Sequence, residues 1–487
     1  MRQVQSKQLQ LGEVDIASIQ FDLRSRDDIP QLLRGLQHVY ADPAIREEVF
    51  HALAHLVPQD VDADNGRPGM FLWRVLVMGV LRLNLNWDYD RLQEMVNHHR
   101  TIRAMLGHGL RDEDQQYKLQ TLKDNVSLFT PAVLDEINRV VVSAGHGAFK
   151  KKEEDALKGR CDSFVVETHV HFPTDISLLW DAIRKVVTLT ADFSRASGLT
   201  LWRQSAFNLR QFKKLYRRAQ KLKHSTSRDE RKREAQQQAV RQAHEAYLQN
   251  ARELIAKAQA TLSMKIPAGP ADAATIIEIE RFIAHAARQI EQIDQRVLQG
   301  QKIAHGEKVF SLFQPHTEWI SKGKAGVPVE LGLKVCVLED QWGFILHHQV
   351  MEKQTDDQVA LSMVTETRTR FPDLKGCSFD KGFHSPANQV ALQACLELSV
   401  LPKKGRRNQS EKAREEAEEF QAARRQHSAV ESAINALEVH GLDKCPDHGI
   451  DGFKRYVSMA VLARNIQKLG AALCQRERAA ESRKRAA

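Results

Sequence analysis

From about Leu178 to Gly306 the chain carries almost unbroken helical signal, and strand signal stands on both sides of it. Upstream, CDSFVVETHVHFP is a β-branched run closed by Pro173. Downstream, VELGLKVCVLED and WGFILHHQVM are two more such runs, joined by a short polar turn around Gln341. Strands so separated can share a sheet only if the helical stretch is set aside as an insertion. The chain is therefore expected to build a discontinuous α/β layer around a helical excursion.

Two stretches of the excursion mix three- and four-residue apolar steps. One is Val240, Ala243, Tyr247, Ala251, Leu254, Ala258 and Leu262. The other is Ile276, Ile279, Ile283, Ala286, Ile290, Ile293 and Val297. The Pro/Gly loop MKIPAGPADA lies between them. This spacing predicts two long helices folded back as an antiparallel, coiled-coil-like hairpin. Upstream, RRAQKLKHSTSRDERKR is densely basic.

After Gly306 the expected order is strand, strand, helix (from Thr355 or Asp356 to Pro372), strand (GCSFDKGF), helix (SPANQVALQACLE), strand (LSVLPKKG) and then helix through Glu431. With the first strand included, this predicts a mixed sheet flanked by helices. Residues 1–150 read as helical, from IPQLLRGLQHVY and REEVFHALAHLV through NWDYDRLQEMVNHH, where Asp88 or Asp90 can cap. His98, His99, Arg100 and Arg103 crowd the end of that last helix, as dipole partners or as DNA contacts. KKEEDALKGR reads as a charged linker.

The expected domains are 1–150, all helical; 155–177 with 306–470, the α/β domain; 178–305, the insertion; and 471–487, a basic flexible tail. A length of 487 residues suits such a division. The net charge of +9 makes polyanions the natural partners. The longest apolar run, RVLVMGVLRLNLNW, is broken by charge too early to cross a bilayer, and MRQVQSKQLQ has no secretory core. The six cysteines (161, 336, 377, 395, 445 and 474) form no C-x-x-C pair, so they are expected to be reduced in a cytoplasmic protein.

Three acids stand where this layout can bring them together. Asp162 opens the first strand. Asp380 ends the strand GCSF, and a carboxylate there is costly to desolvate unless it faces a cleft, a cation or a metal. Glu431 sits beside the helical stripe Val430, Ile434 and Leu437, in line with His427, Asn435 and Glu438. Mg²⁺ takes a few carboxylates plus waters and substrate phosphates. Two such ions about 4 Å apart can clamp an in-line displacement at phosphorus. The other reading of each acid is a solvated surface group.

CDSFVVETHVHFPTD, HTEWISKGKAGVPVELG, FDKGFHS and HSAVESAINALEVHGLDKCPDHGIDGFKRY resemble, in order, successive blocks of bacterial insertion-sequence transposases of the DDE class, which have an RNase H-like core. GRPGMFLWRVLVMGVLRLNLNWDYDRLQEMV resembles the helical N-terminal region of those enzymes. The resemblance implies that Asp162, Asp380 and Glu431 are the catalytic acids and hold Mg²⁺ (or Mn²⁺), with Gly382 letting the backbone turn away from the metal. It also implies that residues 1–150 bind DNA. The partners would be double-stranded DNA, as terminal inverted repeats and as target, and a second copy of the chain in a synaptic homodimer. The setting would be the nucleoid of a bacterial cytoplasm.

Some related transposases carry Tyr and Arg seven and four residues before the glutamate and Lys seven after it; here those positions hold Arg424, His427 and Glu438. Arg424, Arg425 and Lys444 are the available substitutes. Further expected phosphate contacts are Lys322 and Lys324 in ISKGKAG, Lys381 beside Asp380, and Lys403, Lys404, Arg406 and Arg407 in PKKGRRN. Trp319 either stacks on an unpaired base or packs in the core. Glu167, His169 and His171 alternate on a regular strand. They read as a polar strand face in preference to a metal site. Two other readings stay open: an RNase H-like nuclease or resolvase without strand transfer, and a non-catalytic DNA-binding relic.

Overall fold

Residues 157–168, LKGRCDSFVVET, form one long strand, β1 (Leu157–Thr168), at the middle of a mixed sheet. The strand begins earlier than the sequence suggests. Leu157, Gly159 and Cys161 alternate inward, and the charged Lys158 and Arg160 mask that alternation. Gln341 fixes this start by accepting from the Lys158 N–H (2.8 Å) and donating to the Ala156 carbonyl (3.0 Å). Asp162 therefore lies in mid-strand, not at its opening.

The computed structural model describes residues 3–5, 12–22, 24–57, 69–109, 115–152, 155–222, 226–264, 267, 269–321 and 328–486. It divides into two units, Met1–His169 with Glu318–Ala487, and Val170–Thr317. Among the described residues, the helices before β1 are α1 (Asp28–Ala41), α2 (Pro43–Ala54), α3 (Leu72–Asn84), α4 (Tyr89–His98), α5 (Arg100–Met105), α6 (Leu119–Val126) and α7 (Pro131–Ala148). Asp88 caps α4 through the Arg91 N–H. The His99 side chain caps α5, a local role for one of the basic residues clustered there.

The second unit holds α8 (Asp175–Ala196), α9 (Ser205–Lys221), α10 (Glu230–Ser263) and α11 (Pro270–Ile293). α10 and α11, the helices of the expected hairpin, pack together with α8 and α9 as a four-helix cluster. The α11 stripe Ile279, Ile283, Ala286 and Ile290 shares a core with Leu179, Ile183 and Val186 of α8, and Phe212 of α9 stacks on Tyr247 of α10. The long α10 and α11 are too apolar on one side to satisfy each other alone, and α8 and α9 bring the missing surface.

In the first unit the chain continues with β2 (Glu318–Ser321), β3 (Val329–Glu339), β4 (Ile345–Met351), α12 (Asp356–Arg370), β5 (Leu374–Phe379), α13 (Pro386–Cys395) and β6 (Leu398–Val400). It ends with α14 (Gln409–Glu416), α15 (Glu418–His427), α16 (Ala429–Leu437), β7 (Lys444–Cys445) and α17 (Gly449–Ala486). The strand order is β4–β3–β1–β5–β6, with β2 extending the β4 edge and β7 joining β1. β3 is antiparallel to β1 and to β4, whereas β5 and β7 run parallel to β1, and β6 to β5. Gly332 on β3 is obligatory, because a Cβ there would sit 2.0 Å from the Val166 carbonyl oxygen.

Helix α17 packs against α1, α3 and α7, and its Phe453, Val457, Leu462 and Ile466 are buried with Leu32, Leu36, Leu76 and Ile137. Residues 1–150 thus share one continuous core with the sheet and the last helix. Residues 471–486, expected from sequence to be a tail, continue α17, where Arg34 pairs with Glu477 (2.6 Å). Among the described residues, no helix is long and apolar enough to cross a membrane. The six cysteines are free; Cys161 and Cys336 lie with their sulfurs 3.4 Å apart, unbridged.

Candidate functional site

Cys161 of β1 pairs with Phe379 of β5, and both are buried. The next residue on each strand is an aspartate. Side chains alternate along strands, so Asp162 and Asp380 share the face opposite Cys161 and Phe379. β5 leaves β1 at this pair, and β7 meets the same edge only at Glu167 and Thr168. The edge of β1 between these points is a notch in the sheet. Asp162 lies at its start and Asp380 at the point where β5 departs.

Helices α15 and α16 cover this face. Arg160, two residues before Asp162, donates to the Gln426 carbonyl (3.4 Å) and to the Asp340 carbonyl, and lies 3.4 Å from Glu339. Ser378, two residues before Asp380, is bonded through its hydroxyl to His427 Nδ1 (3.0 Å). These contacts pin the end of α15 over the sheet. Val430, Ile434 and Leu437 are buried on α16, which packs on β1. Glu431, one turn beyond His427, is exposed on this helix, and its negative charge acts on Asp162.

The electrostatics reflect this convergence. The Asp162 carboxyl is pushed up to about 6, first by burial and then by the negative charges of Asp380, Asp356 and Glu431, against one N–H bond from Ser163 (2.7 Å). His427 is lowered, chiefly by burial, with Arg160 adding to the effect and Asp380 and Glu431 opposing it. Asp380 begins a short 3-10 turn, Lys381–Phe383, without using its side chain as a cap. Among the described residues, neither Asp380 nor Glu431 has a hydrogen-bond or ion-pair partner for its carboxylate.

Asp356 is a fourth acid, which the sequence marks only as a helix start. It is the first residue of α12, accepts from Ser163 Oγ (2.7 Å) and pairs with Lys334 Nζ (3.0 Å). Acids in a first helical turn commonly serve the dipole, so nothing in the sequence sets this one apart. It also gives Gly382 its role. Gly382 does not adopt a left-handed conformation; a Cβ there would sit 3.1 Å from Asp356 Oδ2. The glycine makes room for a carboxylate, whereas the sequence suggested a turn.

Three oxygen-donor carboxylates without a cationic partner fit a hard divalent ion better than they fit each other. Their donor atoms are spread more widely than a single compact shell. Among the described residues, only His51, His55 and Glu136 bring three such atoms within 4.8 Å of one another.

The basic residues divide into three groups. Lys381, Lys404, Arg406, Arg424 and Arg425 are exposed, on the turn after β5, the loop after β6 and α15. β6 runs parallel to β5 and pairs Val400 with Ser378, so its loop leaves the sheet at the same end as Asp380. Lys403 and Arg407 are engaged instead, with Glu411 (2.6 Å) and Glu415 (2.9 Å). Lys322 and Lys324 lie outside the described residues. Trp319 sits half-buried on β2. The expected Glu167–His169–His171 face does not form, because β1 ends at Thr168 and His171 pairs with Asp181 (2.7 Å).

Comparison with known protein families, with curated proteins and with solved structures returns no match.

Proposed function

We propose that the chain is a metal-dependent DNA transposase of the DDE class, built on an RNase H-like core. The observation that carries this reading is the placement of Asp162 and Asp380 one step past a shared strand pair, with the charge of Glu431 on α16 acting on Asp162. The strand order β4–β3–β1–β5–β6, with the first three strands antiparallel, is the arrangement the reading requires. Asp162 and Asp380 would hold Mg²⁺ or Mn²⁺, with Glu431 completing the set. Bound there, the ions would supply Lewis-acid activation of water and of the scissile phosphate.

In the reaction, water adds to phosphorus at the element end and the P–O3′ bond breaks, leaving a 3′-hydroxyl. That hydroxyl then attacks a phosphodiester of target DNA and releases a target 3′-oxygen. Lys381, Lys404, Arg406, Arg424 and Arg425 serve as backbone contacts. Helix α9 adds a basic face: Arg210, Lys213, Lys214, Arg217, Arg218 and Lys221 are exposed opposite the buried Phe212 and Ala219, and α9 contains no acid. A Mg²⁺-dependent nuclease without strand transfer is the second reading, favoured by the half-engaged basic loop after β6.

The test is cleavage of DNA carrying the element ends in Mg²⁺, with products sequenced. Asp380→Asn should abolish cleavage and spare binding; equal activity in that variant overturns the assignment. Cut ends never joined to new DNA select the nuclease.

A further inference from the structure

Away from the acid notch, α2 and α7 carry a second group of ligand-type side chains. His51 and His55 are one turn apart on α2, the latter at its C-terminal cap, and Glu136 faces them from α7. His51 Nδ1 lies 4.0 Å from Glu136 Oε1, His55 Nδ1 lies 3.5 Å from Glu136 Oε2, and the two imidazole centroids are 4.8 Å apart. These separations are too long for hydrogen bonds. The two imidazole–carboxylate separations lie within about 0.6 Å of the ~3.4 Å expected between two ligands of one tetrahedral ion with bonds of about 2.1 Å, and all three donor atoms lie within 4.8 Å of one another.

The frame around the group is settled. Arg139 on α7 pairs with Glu48 on α2 (3.0 Å), three residues along from Glu136 and His51 respectively, and Val49, Ala52 and Leu53 are buried beneath. The backbone spacing of the three donors is thus set by packing, and only their exposed side-chain ends need to draw together, by roughly an ångström. The two imidazoles and one carboxylate make a borderline donor set, unlike the all-carboxylate notch. That chemistry selects Zn²⁺ and its transition-metal neighbours over Mg²⁺.

We propose that His51, His55 and Glu136 form a Zn²⁺ site that bridges α2 to α7 and leaves one coordination position open. It is separate from the Asp162 notch and does not depend on the proposed activity.

The test titrates the full-length chain, free of any affinity tag, with Co²⁺ and then displaces it with Zn²⁺. One equivalent should give tetrahedral d–d bands without a thiolate charge-transfer band, and Zn²⁺ should raise the melting temperature. His51→Ala/His55→Ala, both on exposed side chains, should weaken binding by at least about tenfold and remove both signals, and Glu136→Gln should weaken it less. Asp380→Asn should leave all of them unchanged. Unaltered affinity in the double histidine variant, a thiolate band, or loss of the signal in Asp380→Asn each overturns the proposal.

Discussion

Asp162 on β1 and Asp380 just past the end of the parallel strand β5 each lie one step beyond the Cys161–Phe379 pair. Two carboxylates so placed repel each other unless one is protonated or a cation lies between them. Most of what the site is expected to do follows from that relationship.

The first consequence concerns pH. The Asp162 carboxyl is raised from 3.8 to about 6, so its contribution to stability is fully present below about pH 4 and is lost as pH rises through about 6. A rise of that size corresponds to about 3 kcal/mol. In EDTA, Asp162→Asn should therefore be more stable than the native chain at pH 7.5, by up to that amount, and equal to it at pH 3.5. Denaturant unfolding at the two pH values measures this. Mg²⁺ affinity of the native chain should climb about tenfold per pH unit below 6 and level off above 7, by isothermal titration.

Asp356 should matter to the notch without being a metal ligand. Asp356→Ala leaves Lys334 without its partner and frees the Ser163 hydroxyl. The expected cost is about 1–3 kcal/mol in unfolding free energy. Removing this negative charge should also shift the Mg²⁺ binding midpoint to lower pH. A pH series of Mg²⁺ titrations on the variant checks the shift, and an unmoved midpoint contradicts it.

Arg160 ties α15 to the sheet and faces Glu339, whose carboxyl burial pushes up to about 7. Arg160→Met should push Glu339 higher still and release the Gln426 carbonyl. Stability should fall by about 2–4 kcal/mol at pH 8 and by less at pH 6, where Glu339 is protonated. Chemical denaturation at both values reads the difference.

The basic face of α9 should add sequence-independent affinity. Replacing Arg210, Lys213, Arg217 and Lys221 with Gln keeps the buried face intact. The slope of log affinity for duplex DNA against log salt should then flatten by roughly 0.9 for each phosphate no longer neutralised. Fluorescence anisotropy across a salt series measures it, and an unchanged slope removes α9 from the interface.

The alternation of helical and strand signal is enough to lay out the mixed sheet around an excursion, because apolar periodicity is local. Residues 157–160 read as linker because Lys158 and Arg160 interrupt the apolar pattern, and only pairing with β3 and β5 makes them a strand. The α8–α11 packing depends on which stripes meet, a non-local matter that spacing along α10 and α11 does not contain. Asp380 stands out in the sequence because an acid ends an apolar strand. Asp356 does not, because its partners Ser163 and Lys334 are remote in sequence. The joining of α1, α3 and α7 to α17 is equally invisible, since each helix carries an apolar face that any partner would satisfy.

Glu167 and Glu318 both pair with Gly332, one on each side of β3. The chain departs for Val170–Thr317 and comes back within the width of a single strand. Such neighbouring ends make the excursion a cassette: its length can change with only a logarithmic loop-closure cost to the sheet. The acid notch and the helical excursion are thereby free to vary independently over evolution, one held by geometry and the other open to exchange.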